Sequence, residues 1–66
     1  ADGLYFYRKI LSEASGYLAE NGILAFEVGI NQADSVIELA DGFNLEEKIK
    51  DYNGIERIVI LRKKIA

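Results

Sequence analysis

Residues 50–62 read KDYNGIERIVILR, and the pair Asn53-Gly54 within this stretch decides the fold. Asn-Gly between two extended runs is the strongest short-range signal of a β-hairpin, because both residues tolerate the positive φ of a type I′ turn. The first arm, Glu47 to Tyr52, carries Lys48 and Lys50 among few apolar residues. Charged side chains of this kind keep an edge strand from pairing with strangers. The second arm, Arg57 to Arg62, holds Ile58, Val59, Ile60 and Leu61 in succession and is apolar on both faces. That pattern predicts an interior strand.

Upstream, Ile23 to Val28 is also apolar at both parities, with Glu27 the exception near its carboxyl end. It reads as a central strand covered on both faces. Past Gly29, Asn31 is the expected cap of a helix with Asp34 at its third position, and Val36, Ile37, Leu39 and Ala40 supply the buried side as far as Gly42. Phe43 then packs back over the helix end. Further upstream, Leu4, Tyr7, Leu11, Ala14 and Leu18 recur by three and four, which draws one helix face. Asp2 is the expected N-cap and Asn21-Gly22 the left-handed stop. Ser12, Ser15 and Gly16 lower the propensity in the middle and predict a kink or brief break. The order is α-β-α-β-β over residues 1–66, a single unit without repeat, linker or low-complexity segment.

A chain of 66 residues holds one small core, burying only about 60% of its unfolded surface. Half the residues are hydrophobic and 29% are charged, a globular balance. The chain has no cysteine, which excludes disulfides, zinc-thiolate sites and thiol nucleophiles. It has no histidine either, so it lacks the usual general base and the commonest metal ligand, and no metal site is expected. A formal charge of −3 opposes a phosphate-binding surface despite the local basic run Arg62-Lys63-Lys64, so direct nucleic-acid binding is not expected. No apolar run approaches the roughly 18 residues of a membrane span, and a soluble, cytoplasmic protein is the expectation. The opening Ala-Asp-Gly, in a chain without methionine, suits a piece of a longer protein.

Four strings in order then carry a resemblance. They are Asp2-Gly3-Leu4 with Phe6-Tyr7-Arg8-Lys9-Ile10; Tyr17-Leu18 with Asn21-Gly22; Glu27-Val28-Gly29 with Gln32; and Asp51, Gly54 and Arg57 leading into Ile58-Val59-Ile60-Leu61. Together they resemble the carboxyl-terminal part of the HemK (PrmC) family of S-adenosylmethionine-dependent methyltransferases, which modify a glutamine of peptide chain release factors. The resemblance implies the last two helices and last three strands of a class I, Rossmann-like methyltransferase sheet, whose final strand inserts antiparallel between its neighbours. It implies S-adenosylmethionine as cofactor and a release factor as partner for the parent protein. This chain contains neither a glycine-rich cofactor loop nor the Asn-Pro-Pro-Tyr motif, having no proline at all. No catalytic or cofactor-binding residue of the family can therefore be carried onto it, and the fragment alone is expected to be inactive and to bind no cofactor.

In an open α/β sheet ligands gather at the carboxyl ends of parallel strands. The turn AFEVGINQAD, residues 25–34, would lie there on the substrate side, which makes Glu27, Asn31 and Gln32 candidates for a peripheral substrate contact. Each also has a plainer reading: Glu27 as a strand-end acid meeting solvent, Gln32 as a solvated first-turn residue, Asn31 as a cap. Asp51 and Arg57 read as a pair across the hairpin. Tyr5, Phe6 and Tyr7 lack the basic surroundings of a nucleic-acid stacking platform, and helical spacing sends Tyr7 to the core. The competing reading of the whole chain is a small α/β protein-interaction module without enzymatic activity. Two apolar strands with helices on one side only would leave a bare sheet face, so the isolated chain is expected to form homo-oligomers.

Overall fold

The computed structural model describes residues 3–65, so the expected cap at Asp2 lies outside the described residues. The elements are α1 (Tyr5–Tyr17), β1 (Ile23–Glu27), α2 (Ala33–Leu39), β2 (Phe43–Lys50) and β3 (Glu56–Lys63), in the order read from the sequence. They form a small α/β unit on a three-stranded sheet of order β1-β3-β2, with β3 antiparallel to both neighbours. The strand apolar on both faces is thus the middle one. Since β1 and β2 both oppose β3, they run the same way, and α2 carries the chain from one edge to the other.

The predicted face of α1 is the buried one. Leu11 and Ala14 join Phe26, Val28, Ala33, Val36, Phe43, Val59 and Leu61 in one core, and Leu4, Tyr7 and Leu18 pack against it. Tyr7 meets Phe26 edge-on at 5.7 Å between ring centroids. The helix runs unbroken through Ser12, Ser15 and Gly16, contrary to the expected kink, with Ser15 Oγ donating to the Ser12 carbonyl at 3.1 Å. It also stops before Asn21-Gly22. Lys63 Nζ donates to the carbonyls of Ser15 and Leu18 at 2.8 and 2.7 Å, and a cation there satisfies the orphan carbonyls of a helix end. Asn21, at φ 66°, instead shapes the turn in which Gly22 N–H reaches the Ala19 carbonyl.

β1 differs from its reading as a central strand covered on both faces. Within this chain it is an edge, with Phe26 buried and Leu24 half-buried on one side and Ile23, Ala25 and Glu27 exposed on the other. The register sets Ala25 beside Ile60 and Glu27 beside Ile58, so these residues share the outer face. Both helices stack on the opposite face, and the outer face has no cover among the described residues. Its apolarity records a requirement for cover that these residues do not meet. At the other edge β2 begins earlier than read, at Phe43, and a bulge at Glu46 interrupts its ladder. Arg62 Nε donates to Glu46 Oε1 at 2.9 Å, holding that carboxyl below its ordinary range.

The hairpin turn is not the expected type I′. Asn53 has no positive φ, and Gly54 alone is left-handed at φ 77°. Gly54 N–H donates to the Asp51 carbonyl at 3.0 Å and Asp51 N–H to the Ile55 carbonyl at 2.9 Å, the pattern of a type I turn closed by a left-handed residue. Asp51 explains the change: its carboxylate accepts the N–H groups of Asn53 and Ile55 at 2.8 and 3.1 Å and pairs with Arg57 Nε at 3.2 Å. Gly54→Val should still weaken the hairpin. A Cβ at Gly54 meets open space, but a β-branched residue resists positive φ, at a cost of about 1 to 3 kcal/mol in denaturant unfolding. An unchanged midpoint would contradict that φ.

The Ile55 N–H, ahead of the Asn53 N–H and Arg57, holds the Asp51 carboxyl below its ordinary value of 3.8. A depressed carboxyl contributes stability that is fully present above the unfolded value and is lost as pH falls through the lower folded one. The amide resonances of Asn53 and Ile55 should therefore titrate together below about pH 4, and Asp51→Asn should abolish that titration. Retention of the step in Asp51→Asn would assign it to another carboxyl.

Candidate functional site

The carboxyl end of β1 and the tip of the β2–β3 hairpin lie at the same end of the sheet, tied by Val28 N–H to the Arg57 carbonyl at 2.8 Å. Gly29 opens the turn into α2. Its N–H donates to Gln32 Oε1 at 3.1 Å, and the Tyr7 hydroxyl lies 3.3 Å from the same oxygen and 3.4 Å from the Glu27 carbonyl. A Cβ on Gly29 would stand 2.6 Å from Gln32 Oε1. Without a Cβ at Gly29 the carboxamide lies over the backbone and straps α1, the turn and α2 together; a side chain there would displace the Gln32 amide.

The expected cap differs too. Gln32 is the N-cap residue of α2, while Asn31 sits one residue earlier at φ 64°. The left-handed geometry takes Asn31 out of capping position. With Ile30 it instead lines a groove of about 260 Å³ whose other wall is Lys50, Gly54, Ile55 and Glu56. The structure thus separates the three candidates: Asn31 in the groove, Gln32 half-buried as the strap, and Glu27 exposed on the outer sheet face. Asp51 and Arg57 pair as read.

Sequence reasoning missed the groove's far wall. Lys48 donates to Glu56 at 2.9 Å and to Asp34 at 3.4 Å, and the Glu56 contact raises the lysine's pKa first and most. Lys50, two residues along the same strand and in register with Glu56, makes no ion pair among the described residues. Tyr52, at the tip, is fully exposed. An aromatic placed directly before Asn-Gly was the available signal for an exposed tip residue. A second depression, about 360 Å³, lies between the helices and is lined by Arg8, Leu11, Ser12, Ser15, Leu39 and Asp41.

Among the described residues no acidic cluster could hold a metal ion, and no helix is long and apolar enough to cross a membrane. At the strand-to-helix turn between β1 and α2, the Gly29 N–H is already taken by Gln32. What this end of the sheet offers is hydrogen bonding, polar side chains of both charges and apolar contact along an open groove.

No protein-family model matches the chain, and no solved structure matches it. Curated sequences do. The release factor glutamine methyltransferase of Thermodesulfovibrio yellowstonii is 48% identical over 64 residues, covering 94% of this chain and 23% of that protein. That of Fusobacterium nucleatum is 42% identical over 66 residues, covering 97% of this chain and 19% of the relative. The chain belongs to the release factor glutamine methyltransferase (HemK/PrmC) family. It spans about a fifth of the length of these two relatives, in their carboxyl-terminal part. A bifunctional methyltransferase of Rickettsia felis is 36% identical over 61 residues, 89% of this chain and 12% of that protein. For this HemK/PrmC sequence, the Glu27-Val28-Gly29 and Gln32 string is the strapped turn at the end of β1.

Proposed function

We propose that residues 1–66 are one unit within the catalytic domain of a class I, S-adenosylmethionine-dependent methyltransferase that methylates the side-chain N5 of a glutamine in peptide chain release factors. The identity of 48% to a release factor glutamine methyltransferase over nearly the whole chain carries this reading. The sheet order, with the last strand between its two neighbours, supports it. In the parent protein, segments outside this chain supply the cofactor loop and the Asn-Pro-Pro-Tyr motif, cover the outer sheet face and pair with the free edge of β1. This chain contributes sheet, helices and the substrate-side periphery at Glu27, Asn31 and Gln32. The parent acts in the cytoplasm on a protein, without direct contact to nucleic acid or membrane.

Reading the coding sequence upstream of Ala1 tests the proposal. It is expected to encode a glycine-rich strand-to-helix loop and then Asn-Pro-Pro-Tyr shortly before Asp2. An upstream sequence with neither would favour the interaction-module reading. The isolated chain, lacking both motifs, is expected to give no specific heat of binding when titrated with S-adenosylmethionine. Micromolar binding would contradict the division of labour proposed here.

A further inference from the structure

Two asparagines of this chain, Asn21 and Asn53, stand directly before glycine, whereas Asn31 and Asn44 precede Gln32 and Leu45. Before glycine, an asparagine side chain is open to attack by the next main-chain nitrogen, because no Cβ on that residue hinders the approach. The fold treats the two pairs differently. At Asn21-Gly22 every main-chain polar group is bonded. The Asn21 N–H donates to the Lys63 carbonyl at 3.1 Å and its carbonyl accepts from the Arg62 guanidinium at 3.0 Å. The Gly22 N–H donates to the Ala19 carbonyl at 2.9 Å and its carbonyl accepts from the Lys63 N–H at 2.8 Å. Most of these partners lie on β3, so this pair opens only with the sheet. At Asn53-Gly54 a single residue supplies the restraints. Asp51 accepts the Asn53 N–H on its carboxylate at 2.8 Å and the Gly54 N–H on its carbonyl at 3.0 Å. Both residues of the pair are exposed, and the Asn53 carboxamide makes no hydrogen bond among the described residues.

We propose that Asn53 is a site of spontaneous deamidation whose rate Asp51 sets by holding the turn closed. When the turn opens locally, the Gly54 N–H gives its proton to base from solvent and the nitrogen attacks Asn53 Cγ. A new N–C bond closes a succinimide ring, and the bond from Cγ to the side-chain nitrogen breaks, releasing ammonia. Water then opens the ring at either carbonyl. Opening at Cγ leaves aspartate; opening at the main-chain carbonyl leaves isoaspartate, in which the main chain runs through the former side chain. The balance is one water consumed and one ammonia released, with no change of oxidation state. Either product sets a second carboxylate close to that of Asp51, where like charges repel. Isoaspartate also lengthens the backbone at the tip, beside the groove that Gly54 lines. The step runs one way and marks the hairpin with the age of the protein. It does not depend on the methyltransferase reading.

The test incubates the complete, folded gene product at mildly alkaline pH and follows the exchange of side-chain amide for carboxyl by mass spectrometry of tryptic peptides. Cleavage after Lys50 and Arg57 leaves Asn53 as the sole asparagine of its peptide, and fragmentation locates Asn21 in the longer one. In the folded protein Asn53 is expected to react about tenfold faster than Asn21, the ratio that one further hydrogen-bonded restraint supplies. In denaturant the two should approach equal rates. Asp51→Ala should speed Asn53 about tenfold, through loss of the carboxylate's bonds, and leave Asn21 unchanged. Circular dichroism checks that this variant is folded, and the wild-type ratio decides the matter without it if it is not. A folded wild type in which Asn53 stays as intact as Asn21, faster loss at Asn21, or a folded Asp51→Ala variant with an unchanged rate at Asn53 would overturn the proposal.

Discussion

Leu61→Ala is expected to leave the isolated chain without a cooperative thermal unfolding transition. Leu61 is 1% exposed on the middle strand, in register with Leu24 on one side and Leu45 on the other. Truncating a buried leucine costs about 2 to 5 kcal/mol, because the transfer free energy is lost and the cavity only partly closes. A domain of this length has only about 3 to 5 kcal/mol from its core. The variant therefore removes most of the margin. Ile60, the preceding residue, points to the outer face, where truncation to alanine opens no cavity, and Ile60→Ala should keep a cooperative melt. Near-ultraviolet circular dichroism of the tyrosines reads both. A cooperative Leu61→Ala transition close to the parent's, or equal losses in the two variants, would contradict the assignment of faces.

The second large effect is self-association of the isolated chain through that outer face. Ile23 and Ile49 are 52% and 38% exposed there, with Ile58 and Ile60 half-buried between them. Burying side chains of this size is worth about 1.5 to 3 kcal/mol each when complete, so a partly exposed set still gives a strong drive to pair. Charge favours an antiparallel pairing of two copies. Arg62 stands on the Ile23 end of the face and Glu27 on the Ile58 end, so a two-fold arrangement sets each against the other's opposite. Sedimentation at tens of micromolar should show a dimer or larger species, and Ile60→Lys should return it to monomer. A clean parent monomer, or an oligomer indifferent to Ile60→Lys, would show that the face is not the site of association.

The sequence made some of these features legible and hid others for identifiable reasons. The spacing of Leu4, Tyr7, Leu11, Ala14 and Leu18 located the buried face of α1, because a helix period needs no tertiary information. The run Ile58 to Leu61 located the interior strand for the same reason. The run Ile23 to Val28 misled: apolarity at both parities states that both faces want cover, and cannot say whether the cover belongs to the same chain. Asn53-Gly54 predicted the hairpin but not its turn, because Asp51 competes for the local N–H groups and bends the loop toward type I. Asn21 and Asn31 both adopt positive φ, yet neither ends nor caps its helix. A long-range lysine, Lys63, decided the end of α1. At the candidate site, Asn31 was reached by position in the chain, whereas Lys50 and Tyr52 come to it only through the hairpin's return.

The most direct test of the account is methyl transfer by the complete gene product. The protein, S-adenosylmethionine and a purified release factor are incubated, and the factor is digested and sequenced by mass spectrometry. The account predicts one added methyl group on a single glutamine side chain, dependent on the cofactor and lost when the upstream Asn-Pro-Pro-Tyr motif is altered. A complete product that leaves every glutamine of the factor unmodified, while binding the cofactor and remaining folded, would contradict it.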